Sequence, residues 1–405
     1  MPKALLLENI HPVGVQLLER AGLEVETRNA ALDEDELIDA LAGSVLLGIR
    51  SKTQVTKKVL AASPDLLAIG AYCIGTNQIA LQAASRQGVA VFNAPYSNTR
   101  SVVEMAVAEI IALTRRLTER DRSLHDGVWR KSATGSHEVR GRTLGIVGYG
   151  NIGSQLSVLA ESLGMTVVFY DIEEKLALGN ARRLESLDEL LEVSDVVTVH
   201  VDGRAANTDL FGADEFAAMR PGAVFINLSR GHVVDIEALR DAVADGHLGG
   251  AAVDVFPTEP KATGDPFTAE LRGLPTVILT PHVGGSTEEA QESIGRFVSG
   301  KLRDYLLTGA SSMSVNLPGL SLDAGGGPGA SKGDHRVAHI HRNTPGVLAA
   351  INQALAGRGV NIVGQVLGTR GDLGYVLTDV GSPADAEGLG YLAGLDETIR
   401  LRVLY

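Results

Sequence analysis

A glycine pattern in the middle of the chain constrains the fold most. Gly148-Tyr149-Gly150-Asn151-Ile152-Gly153 follows a short apolar run at residues 143–147 and precedes a stretch with helical periodicity. In such a strand-turn-helix unit the first glycine permits the tight turn, the second lets backbone approach a pyrophosphate, and the third lets helix and strand pack closely. The helix N-terminus adds unpaired N–H groups that suit phosphate oxygens. The pattern predicts a doubly wound, Rossmann-type nucleotide domain.

An acidic residue at the end of the next predicted strand supports this interpretation. Asp171 lies 18 residues after Gly153, and an acid about 20 residues beyond the glycines binds the ribose 2′-hydroxyl in such domains. The following residues, Ile172, Glu173 and Glu174, offer no arginine for a 2′-phosphate. We therefore expect NAD rather than NADP. Without the acid, the glycines alone would also suit an ordinary glycine-rich turn.

Short apolar runs alternate with amphipathic stretches on both sides of the glycine pattern. Before it, runs at residues 4–7, 45–49, 66–71 and 89–92 predict four strands of a parallel sheet. Runs at 143–147, 167–170, 196–201, 224–228, 251–255 and 277–280 predict six strands of a second sheet. A helix at 99–117, opened by Asn98, separates the two series. Ser286-Thr287-Glu288-Glu289 predicts a capping box for a helix that ends near residue 307.

The composition changes near residue 318. Residues 325–333 contain five glycines and one proline, which is typical of a linker. Beyond them, strands at 337–341, 360–367, 375–380 and 399–404, with a helix at 346–356 and another before the last strand, predict a ferredoxin-like βαββαβ domain. We predict a flavodoxin-like substrate-binding domain at 1–97 and 287–317, a nucleotide domain at 98–286, a linker at 318–335 and the ferredoxin-like domain at 336–405.

Charge and cysteine content limit the partners and the location. Lys+Arg 36 against Asp+Glu 49 gives a net charge of -13, which disfavours binding to nucleic acid or to an anionic membrane. The only cysteine, Cys73, excludes an internal disulfide and fits a cytoplasmic location. Glu8 ends the first apolar run too early for a signal peptide, and no run is long enough to span a membrane.

Six further segments resemble the D-isomer-specific 2-hydroxyacid dehydrogenases, in the same order along the chain. They are residues 48–53 (GIRSKT), 73–77 (CIGTN), 93–99 (NAPYSNT), 229–231 (SRG), 253–260 (VDVFPTEP) and 280–286 (TPHVGGS). The resemblance covers nearly the whole chain and implies an NAD-dependent dehydrogenase. The most similar branch of the family implies oxidation of 3-phospho-D-glycerate to 3-phosphohydroxypyruvate, the first step of L-serine biosynthesis.

The resemblance implies a catalytic triad of Arg230, Glu259 and His282. Hydride removal requires the neighbouring hydroxyl to lose its proton, and a histidine can accept and return that proton near neutral pH. The Glu259 carboxylate should raise the pKa of His282, and the guanidinium of Arg230 suits a substrate carboxylate. Each residue taken alone also has a structural interpretation: a solvent-facing histidine, a surface-loop acid and a charge at a helix start.

The resemblance also implies which residues contact the cofactor. They are Gly148, Gly150, Asn151, Ile152, Gly153, Asp171, His200, Val201, Leu228, Ser229, Arg230, Asp254, His282, Gly284 and Gly285. Asp254 has an alternative role as a turn former at a strand end. Two residues after His200 the family often has proline, whereas this chain has Asp202, which leaves the local loop geometry open.

A phosphorylated substrate needs a second anion site. The implied substrate-binding residues are Arg50, Ser51, Lys52, Ile74, Gly75, Asn98, Thr99 and Arg230. Relatives often have arginine at position 52, and lysine cannot give the same bidentate contact. Two cations at a strand end are otherwise an ordinary solvated edge. The turn at Ile74 and Gly75 resembles the family's carboxylate-binding loop, in which backbone N–H groups are the donors.

The last 70 residues resemble an ACT domain, a small effector-binding module. In related dehydrogenases L-serine binds between two such domains of different subunits, so His341, Asn343 and Asn361 are the implied effector-binding residues and a homotetramer is the implied assembly. Asn343 and Asn361 also suit turns. His339 and His341 face the same side of a strand, but a third ligand is not in view and we expect no metal site.

Alternative functions stay open at this point. One is a dehydrogenase for another D-2-hydroxy acid, and the resemblance also allows reduction of 2-oxoglutarate to 2-hydroxyglutarate as a second activity. Another is an NAD-sensing, corepressor-like binding protein, because related folds serve as corepressors. A third is an amino-acid sensor with a vestigial dehydrogenase.

Overall fold

Two parallel sheets and one antiparallel sheet make up the α/β fold. A computed structural model describes residues 1–260, 264–323, 335–381 and 392–404. The chain forms two compact units, one from Met1–Ser97 with Gln291–Tyr405 and the other from Asn98–Ala290. Within the described ranges, no helix is both long enough and apolar enough to cross a membrane.

The first unit contains a five-stranded parallel sheet in the order β2-β1-β3-β4-β5, the flavodoxin-like order. Its strands and helices are β1 (Lys3–Leu6), α1 (Pro12–Arg20), β2 (Glu24–Thr27), α2 (Glu34–Ala40), β3 (Ser44–Ile49), α3 (Lys57–Ala62), β4 (Ala68–Ala71), α4 (Leu81–Arg86) and β5 (Ala90–Phe92). The prediction of four strands missed β2. This strand lies at the sheet edge, pairs only with β1 and is mostly exposed, so it needs no apolar run.

The second unit contains a seven-stranded parallel sheet in the order β12-β11-β10-β9-β6-β7-β8. Its strands are β6 (Thr143–Val147), β7 (Thr166–Tyr170), β8 (Arg182–Arg183), β9 (Val196–Val199), β10 (Val224–Asn227), β11 (Gly250–Val253) and β12 (Val277–Leu279). Its helices are α5 (Thr99–Thr114), α6 (Leu117–His125), α7 (Asn151–Ser162), α8 (Leu187–Val193), α9 (Ala213–Ala218) and α10 (Ile236–Ala244). The six predicted strands are present, and the two-residue edge strand β8 was missed.

The first helix of the second unit is shorter than predicted. Helix α5 ends at Thr114, and Arg116 has a left-handed φ of 54° before α6 begins. The L-residue in this conformation ends the regular helix, so the predicted extension to residue 117 is wrong. Asn98 occupies the N-cap position, but its side chain makes no capping hydrogen bond.

Helix α11 (Glu288–Thr308) begins one residue later than the predicted capping box requires, so Thr287 and not Ser286 is the capping residue, and Ala290 stands where the box needs Glu289. The Thr287 hydroxyl accepts a hydrogen bond from the backbone N–H of Ala290 at 3.1 Å, which satisfies one of the unpaired donors of the first turn. Ile294, Val298 and Leu302 lie on its buried face and pack in the core of the first unit.

The C-terminal tail forms a four-stranded antiparallel sheet in the order β14-β15-β13-β16. Its elements are β13 (His335–Arg342), α12 (Val347–Ala356), β14 (Ile362–Arg370), β15 (Leu373–Val380) and β16 (Thr398–Val403). The predicted helix before the last strand falls mainly on residues 382–391, outside the described residues, as do the glycines of the predicted linker. Leu320 is buried, so packed chain continues past the predicted start of the linker.

The tail shares a hydrophobic core with the first unit. Buried side chains of the tail sheet, including Ile340, Tyr375 and Leu377, cluster with Tyr305 and the first unit's own sheet residues. Hydrogen bonds reinforce this packing: Tyr375 Oη donates to the Gly309 carbonyl at 2.6 Å. Arg402 Nη2 donates to the Tyr305 carbonyl at 3.0 Å. The ferredoxin-like sheet is therefore an integral part of this unit.

A buried ion pair lies inside this shared packing. Arg336 Nε and Nη2 donate to the two carboxylate oxygens of Asp379 at 2.6 and 2.7 Å, and their side chains are only 1% and 5% exposed. Arg336 Nη1 also donates to the Thr308 carbonyl at the end of α11, at 3.2 Å. Removing either charge leaves the other buried without its partner.

We expect Asp379→Ala to lower the free energy of unfolding by about 3–5 kcal/mol, because the buried guanidinium loses the carboxylate that binds it in two places. Replacing both partners, Arg336→Met with Asp379→Leu, should recover most of this loss. Urea unfolding measures both effects. Glu26→Gln, which breaks the exposed Arg28 pair, is the control and should cost about 0–1 kcal/mol. Equal losses in Asp379→Ala and Glu26→Gln would contradict the prediction.

Candidate active site

The glycine-rich turn between β6 and α7 has the geometry that the sequence pattern predicts. Gly148 has a φ of 93°, and a Cβ there would lie 2.7 Å from the His200 carbonyl oxygen. A Cβ on Gly153 would lie 2.3 Å from the Gly148 oxygen. Gly150 is the N-cap of α7 without a side-chain cap, and a Cβ there would meet no atom within 4 Å. This open helix N-terminus fits a dinucleotide pyrophosphate.

Asp171 lies beside this turn, just after β7. Its Oδ2 accepts from Tyr149 N at 2.8 Å and its Oδ1 from Glu173 N at 2.9 Å. The two bonds fix the carboxylate and leave lone pairs that can accept ribose hydroxyls. Tyr149, whose role the sequence did not indicate, is buried and stacks on Phe169 with 3.7 Å between ring centroids. Arg183, from the unpredicted edge strand, donates to the Asp171 carbonyl at 3.4 Å.

The loop after β9 contains His200, Val201 and Asp202. Burial lowers the pKa of His200 to about 4, so its ring is neutral at physiological pH, and its Nε2 lies 3.0 Å from the Thr198 hydroxyl. Asp202 forms a bidentate ion pair with Arg204, with both contacts at 2.7 Å. The hydrogen bond from Arg204 lowers the pKa of Asp202. This exposed ion pair lies at the position where the family often has proline.

A buried asparagine at the end of β10 fixes the backbone of Arg230. Asn227 Oδ1 accepts from the N and Oγ of Ser229 at 3.0 and 2.7 Å, and its Nδ2 donates to the Arg230 carbonyl at 3.1 Å. A Cβ on Gly231 would lie 2.0 Å from the Phe256 carbonyl carbon, so only glycine fits after the arginine. Leu228 is buried at the same turn. The sequence reasoning did not single out Asn227.

The predicted acid-base residue His282 pairs with Glu259. His282 Nδ1 lies 3.0 and 2.9 Å from the two carboxylate oxygens, and Phe256 N donates to Glu259 Oε1 at 3.2 Å. Since a carboxylate only accepts, Nδ1 is the protonated nitrogen and Nε2 can act as a base. The hydrogen bond that His282 donates to Glu259 raises the pKa of His282. Burial opposes ionisation of Glu259, but the hydrogen bond from His282 lowers the pKa of Glu259 overall.

Asp254 at the end of β11 holds the loop that contains His282. Its carboxylate accepts from Thr280 Oγ1 at 2.6 Å, Val283 N at 2.8 Å and Gly284 N at 2.8 Å. Its carbonyl oxygen accepts from His282 N at 2.8 Å, and His282 has a φ of 55°. These are the contacts of a turn-forming residue. Its contact with the cofactor remains a prediction.

Close packing around Gly285 limits what this loop can contain. A Cβ on Gly285 would lie 2.1 Å from Asn98 Nδ2, and one on Gly284 would lie 3.0 Å from Asp254 Oδ2. Thr99, the first residue of α5, is buried. Asn98 therefore packs against the His282 loop within the second unit. All the predicted catalytic and cofactor-binding residues belong to this unit.

The remaining candidate substrate residues lie in the first unit, on the loops after β3 and β4. Gln78, which is buried, donates from Nε2 to the Arg50 carbonyl at 2.6 Å and to the Gly75 carbonyl at 3.2 Å. Asn93 Nδ2 donates to the Ile74 carbonyl at 2.6 Å. These side chains bring the loop of Arg50, Ser51 and Lys52 next to the Ile74 turn.

The candidate effector residues lie at the ends of the tail strands. His341 is buried, its Nδ1 lies 2.8 Å from the Arg342 carbonyl oxygen, and its Nε2 has no hydrogen-bond partner among the described residues. Asn343 Nδ2 donates to the Gly371 carbonyl at 3.1 Å, and Asn361 is exposed. Burial lowers the pKa of the neighbouring His339 to about 4. Where side chains are described, no group of three or more candidate metal ligands occurs.

A buried glutamate on α5 lies near Asp254. Glu109 is 5% exposed, and neither carboxyl oxygen has a hydrogen-bond partner among the described side chains and backbone. Burial, with a smaller effect from the charge of Asp254, raises the pKa of Glu109 to about 8. The group is thus a neutral acid near pH 7. In the sequence, Glu109 is recognisable only as an acid within an apolar helix face.

Comparison with known proteins agrees with this architecture. Residues 107–284 match the NAD binding domain of the D-isomer specific 2-hydroxyacid dehydrogenases, and residues 337–389 match the AHAS small subunit-like ACT domain. The chain is 48% identical to D-3-phosphoglycerate dehydrogenase of Escherichia coli (strain K12), over 100% of this chain and 97% of that protein. It is 46% identical to D-3-phosphoglycerate dehydrogenase of Dictyostelium discoideum, over 100% of this chain and 97% of that protein.

A solved structure shows the same fold. The D-lactate dehydrogenase of Aquifex aeolicus, complexed with NAD and lactic acid, superposes with a TM-score of 0.65 and 25% identity. The match covers 75% of this chain and 95% of that one. The chain therefore belongs to the D-isomer specific 2-hydroxyacid dehydrogenase family. The predicted α/β fold class, the ACT domain, NAD as the cofactor and the assignment as an NAD-dependent dehydrogenase are confirmed.

We expect Glu109→Gln to stabilise the protein at pH 8 and to have little effect at pH 5. The unfolded carboxyl ionises above about 4.5 and the folded one only near 8, so the free energy of unfolding falls as pH rises through this window. The amide should remove a penalty on the order of 3 kcal/mol at the upper end.

Urea unfolding from pH 5 to pH 8 measures this effect. Glu104→Gln is the matched control, because Glu104 lies on the same helix but is 60% exposed in a pair with Arg100. If Glu109→Gln and wild type lose stability in parallel as pH rises, then Glu109 ionises normally and the interpretation is wrong.

Proposed function

We propose that this protein catalyses the NAD-dependent oxidation of 3-phospho-D-glycerate to 3-phosphohydroxypyruvate. The main support is the contact of His282 Nδ1 with both carboxylate oxygens of Glu259, at 3.0 and 2.9 Å. This pair provides an acid-base group in a chain that resembles D-3-phosphoglycerate dehydrogenases over its whole length. A sensor or corepressor without catalysis has no need of such a pair.

In the proposed reaction His282 accepts the proton of the substrate hydroxyl at Nε2. The side chain is half exposed, so a substrate can reach it. Glu259 holds the protonated Nδ1 and stabilises the imidazolium that forms. In the reverse direction the raised pKa of His282 keeps more of the imidazole protonated near neutral pH, which favours donation to the carbonyl.

Arg230 is proposed to bind the substrate carboxylate. Its backbone is fixed by Asn227, and Gly231 lets the chain pass close to Phe256. A guanidinium can form two parallel hydrogen bonds with a carboxylate, which orients the substrate carbon for hydride transfer. Bound NAD⁺ supplies the hydride acceptor, and Gly150, the first turn of α7 and Asp171 are the groups that fit it.

We assign the substrate phosphate to Arg50, Ser51 and Lys52 on the loop after β3. Arg50 is partly exposed, and Ser51 and Lys52 are exposed, so their side chains are accessible to an anion. Cationic side chains with a hydroxyl are a common way to bind phosphate. The backbone N–H groups at Ile74 and Gly75, and the polar groups of Asn98 and Thr99, are the further proposed substrate contacts.

We further propose that L-serine binds the ACT domain and inhibits the enzyme. His341 Nε2 has no hydrogen-bond partner in the part of the chain that the structure describes, and Asn343 and Asn361 lie at ends of the same sheet, which supports an amino-acid site. A homotetramer with serine between two ACT domains, a cytoplasmic location and reduction of 2-oxoglutarate are parts of the same proposal. They are supported by the resemblance and, for the location, by the single cysteine.

Replacing Glu259, the partner of His282, should shift the pH dependence of the reaction. In Glu259→Gln the pKa of His282 falls, because the charge that raises it is removed. Oxidation requires neutral His282, so the acidic limb of kcat/KM for 3-phosphoglycerate should move to lower pH. Reduction requires protonated His282, so the basic limb for phosphohydroxypyruvate should also move to lower pH. His282→Gln should reduce kcat by about 10²–10⁴-fold.

NADH absorbance between pH 5 and pH 10 measures both profiles. Glu270→Gln, an exposed acid of the same unit, is the control and should leave both limbs in place. Limbs that do not move in Glu259→Gln would show that another group sets the pH dependence.

A panel of substrates tests the proposed function. We expect reduction of phosphohydroxypyruvate at a kcat/KM at least about 100-fold above that of unphosphorylated hydroxypyruvate, because paired charges contribute roughly 1.5–3 kcal/mol per contact. Arg50→Ala should remove most of this preference, and L-serine should inhibit the wild type.

Each result has a defined consequence. Turnover of none of phosphohydroxypyruvate, hydroxypyruvate and 2-oxoglutarate would refute the enzyme function and favour a binding protein. Equal turnover of phosphohydroxypyruvate and hydroxypyruvate would identify a dehydrogenase for another D-2-hydroxy acid. Activity that does not respond to L-serine would refute serine inhibition alone.

A further inference from the structure

The carboxylate of Glu8 lies against the backbone of the loop that contains Arg50, Ser51 and Lys52. Glu8 Oε1 accepts from Arg50 N at 3.2 Å and from Thr53 N at 2.9 Å. Its Oε2 accepts from Lys52 N at 3.0 Å. Glu8 is only 8% exposed. One buried carboxylate therefore binds three of the four backbone N–H groups of residues 50–53.

The backbone at Glu8 directs its side chain to this place. β1 and β3 are neighbours in the sheet, so Glu8 and Arg50 follow two adjacent strand ends. Leu7 N still donates to the Gly48 carbonyl at 2.9 Å. Glu8 and Asn9 then adopt left-handed φ values of 64° and 55°. L-residues with a Cβ disfavour this conformation, and its occurrence at two successive positions suggests a functional constraint.

Arg50 is held from a second side by Gln78. Its N–H binds Glu8, while its carbonyl oxygen accepts from Gln78 Nε2 at 2.6 Å. Both polar groups of the Arg50 backbone are thus paired with buried side chains. The position of this residue is fixed before any ligand is bound.

The pairing also determines which groups are left for an anion. The N–H groups of Arg50, Lys52 and Thr53 already bind the Glu8 carboxylate, so this loop cannot enclose a phosphate with its backbone in the manner of an anion nest. Recognition of a phosphate by this loop therefore depends on the side chains of Arg50, Ser51 and Lys52. How precisely these side chains are positioned depends on how rigidly the loop is held.

We propose that Glu8 is a positioning residue for the substrate phosphate. It fixes the loop after β3 so that the side chains of Arg50 and Lys52 meet the phosphoryl group of the substrate. The inference extends the proposed function and depends on it for the identity of the ligand. Glu8 itself touches neither the substrate nor the cofactor in this proposal.

The test uses Glu8→Gln in the full-length enzyme, with Glu24→Gln as the control. Glu24 is an exposed carboxylate on the neighbouring edge strand β2. The amide keeps the shape of Glu8 but places an NH₂ group against N–H donors, so at least one of the three bonds is lost. Amide hydrogen exchange of residues 50–53 and the kinetics with phosphohydroxypyruvate and hydroxypyruvate are measured.

We expect faster exchange at residues 50–53 and a KM for phosphohydroxypyruvate raised by about tenfold, the effect of losing roughly one weak polar contact. The KM for hydroxypyruvate and both kcat values should change by less than about threefold, because general acid-base catalysis belongs to His282. Glu24→Gln should match the wild type. Glu8→Asp, which keeps the charge but shortens the side chain, should shift the KM in the same direction as Glu8→Gln.

Other outcomes overturn the inference. Unchanged exchange at residues 50–53, or faster exchange with an unchanged preference for the phosphorylated substrate, would refute a positioning role. Equal losses on both substrates would show a general structural role. If Glu8→Gln does not fold, Glu8→Asp decides by the same criteria. A wild type that lacks any phosphate preference refutes the proposed substrate instead, and that result is obtained without the variants.

Discussion

The candidate active site depends most on the hydrogen bonds made by the buried carboxylate of Asp254. Asp254 binds the Thr280 hydroxyl and the N–H groups of Val283 and Gly284, and its carbonyl oxygen binds His282 N. Without these bonds the loop would bury unpaired donors, which is costly. With them, His282 keeps its left-handed backbone, and its ring meets Glu259. The proposed acid-base pair is therefore oriented by a residue outside the proposed triad.

The same arrangement recurs at other strand ends. Asn227 holds the turn before Arg230, Asp171 holds the turn at Tyr149, and Glu8 holds the loop after β3. In each case a polar side chain at the carboxyl end of a parallel strand binds loop backbone: Asp171 and Glu8 bind a neighbouring loop, and Asn227 binds the turn that follows its own strand. Parallel sheets gather such loops at one edge, where ligands bind. These polar side chains thus hold the loops in place, so that the donors and acceptors of the loops have fixed positions.

Much of the fold could be predicted because apolar runs and turn residues are local signals. The edge strands β2 and β8 were missed, since an edge strand such as Glu24–Thr27 needs little apolar surface. Family motifs indicated Arg230, Glu259 and His282. Glu8 and Gln78 could not be assigned from sequence, because their pairing with the Arg50 loop depends on strand order. Asn227 binds Ser229 and Arg230 of the turn that follows it, and no motif marked that role. Glu8 follows a buried strand, but its partner Arg50 lies 42 residues away.

The core shared by the ACT sheet and the parallel sheet β1–β5 has a thermodynamic consequence. Ile340 and Tyr375 of the tail pack with Tyr305 of α11, and Arg336 joins the tail to the end of that helix. Elements that share one core tend to unfold together as a cooperative unit. A small molecule that binds only the folded tail then stabilises the whole unit by mass action. The proposed effector, on binding the tail, would therefore also stabilise the sheet from which the loops after β3 and β4 extend.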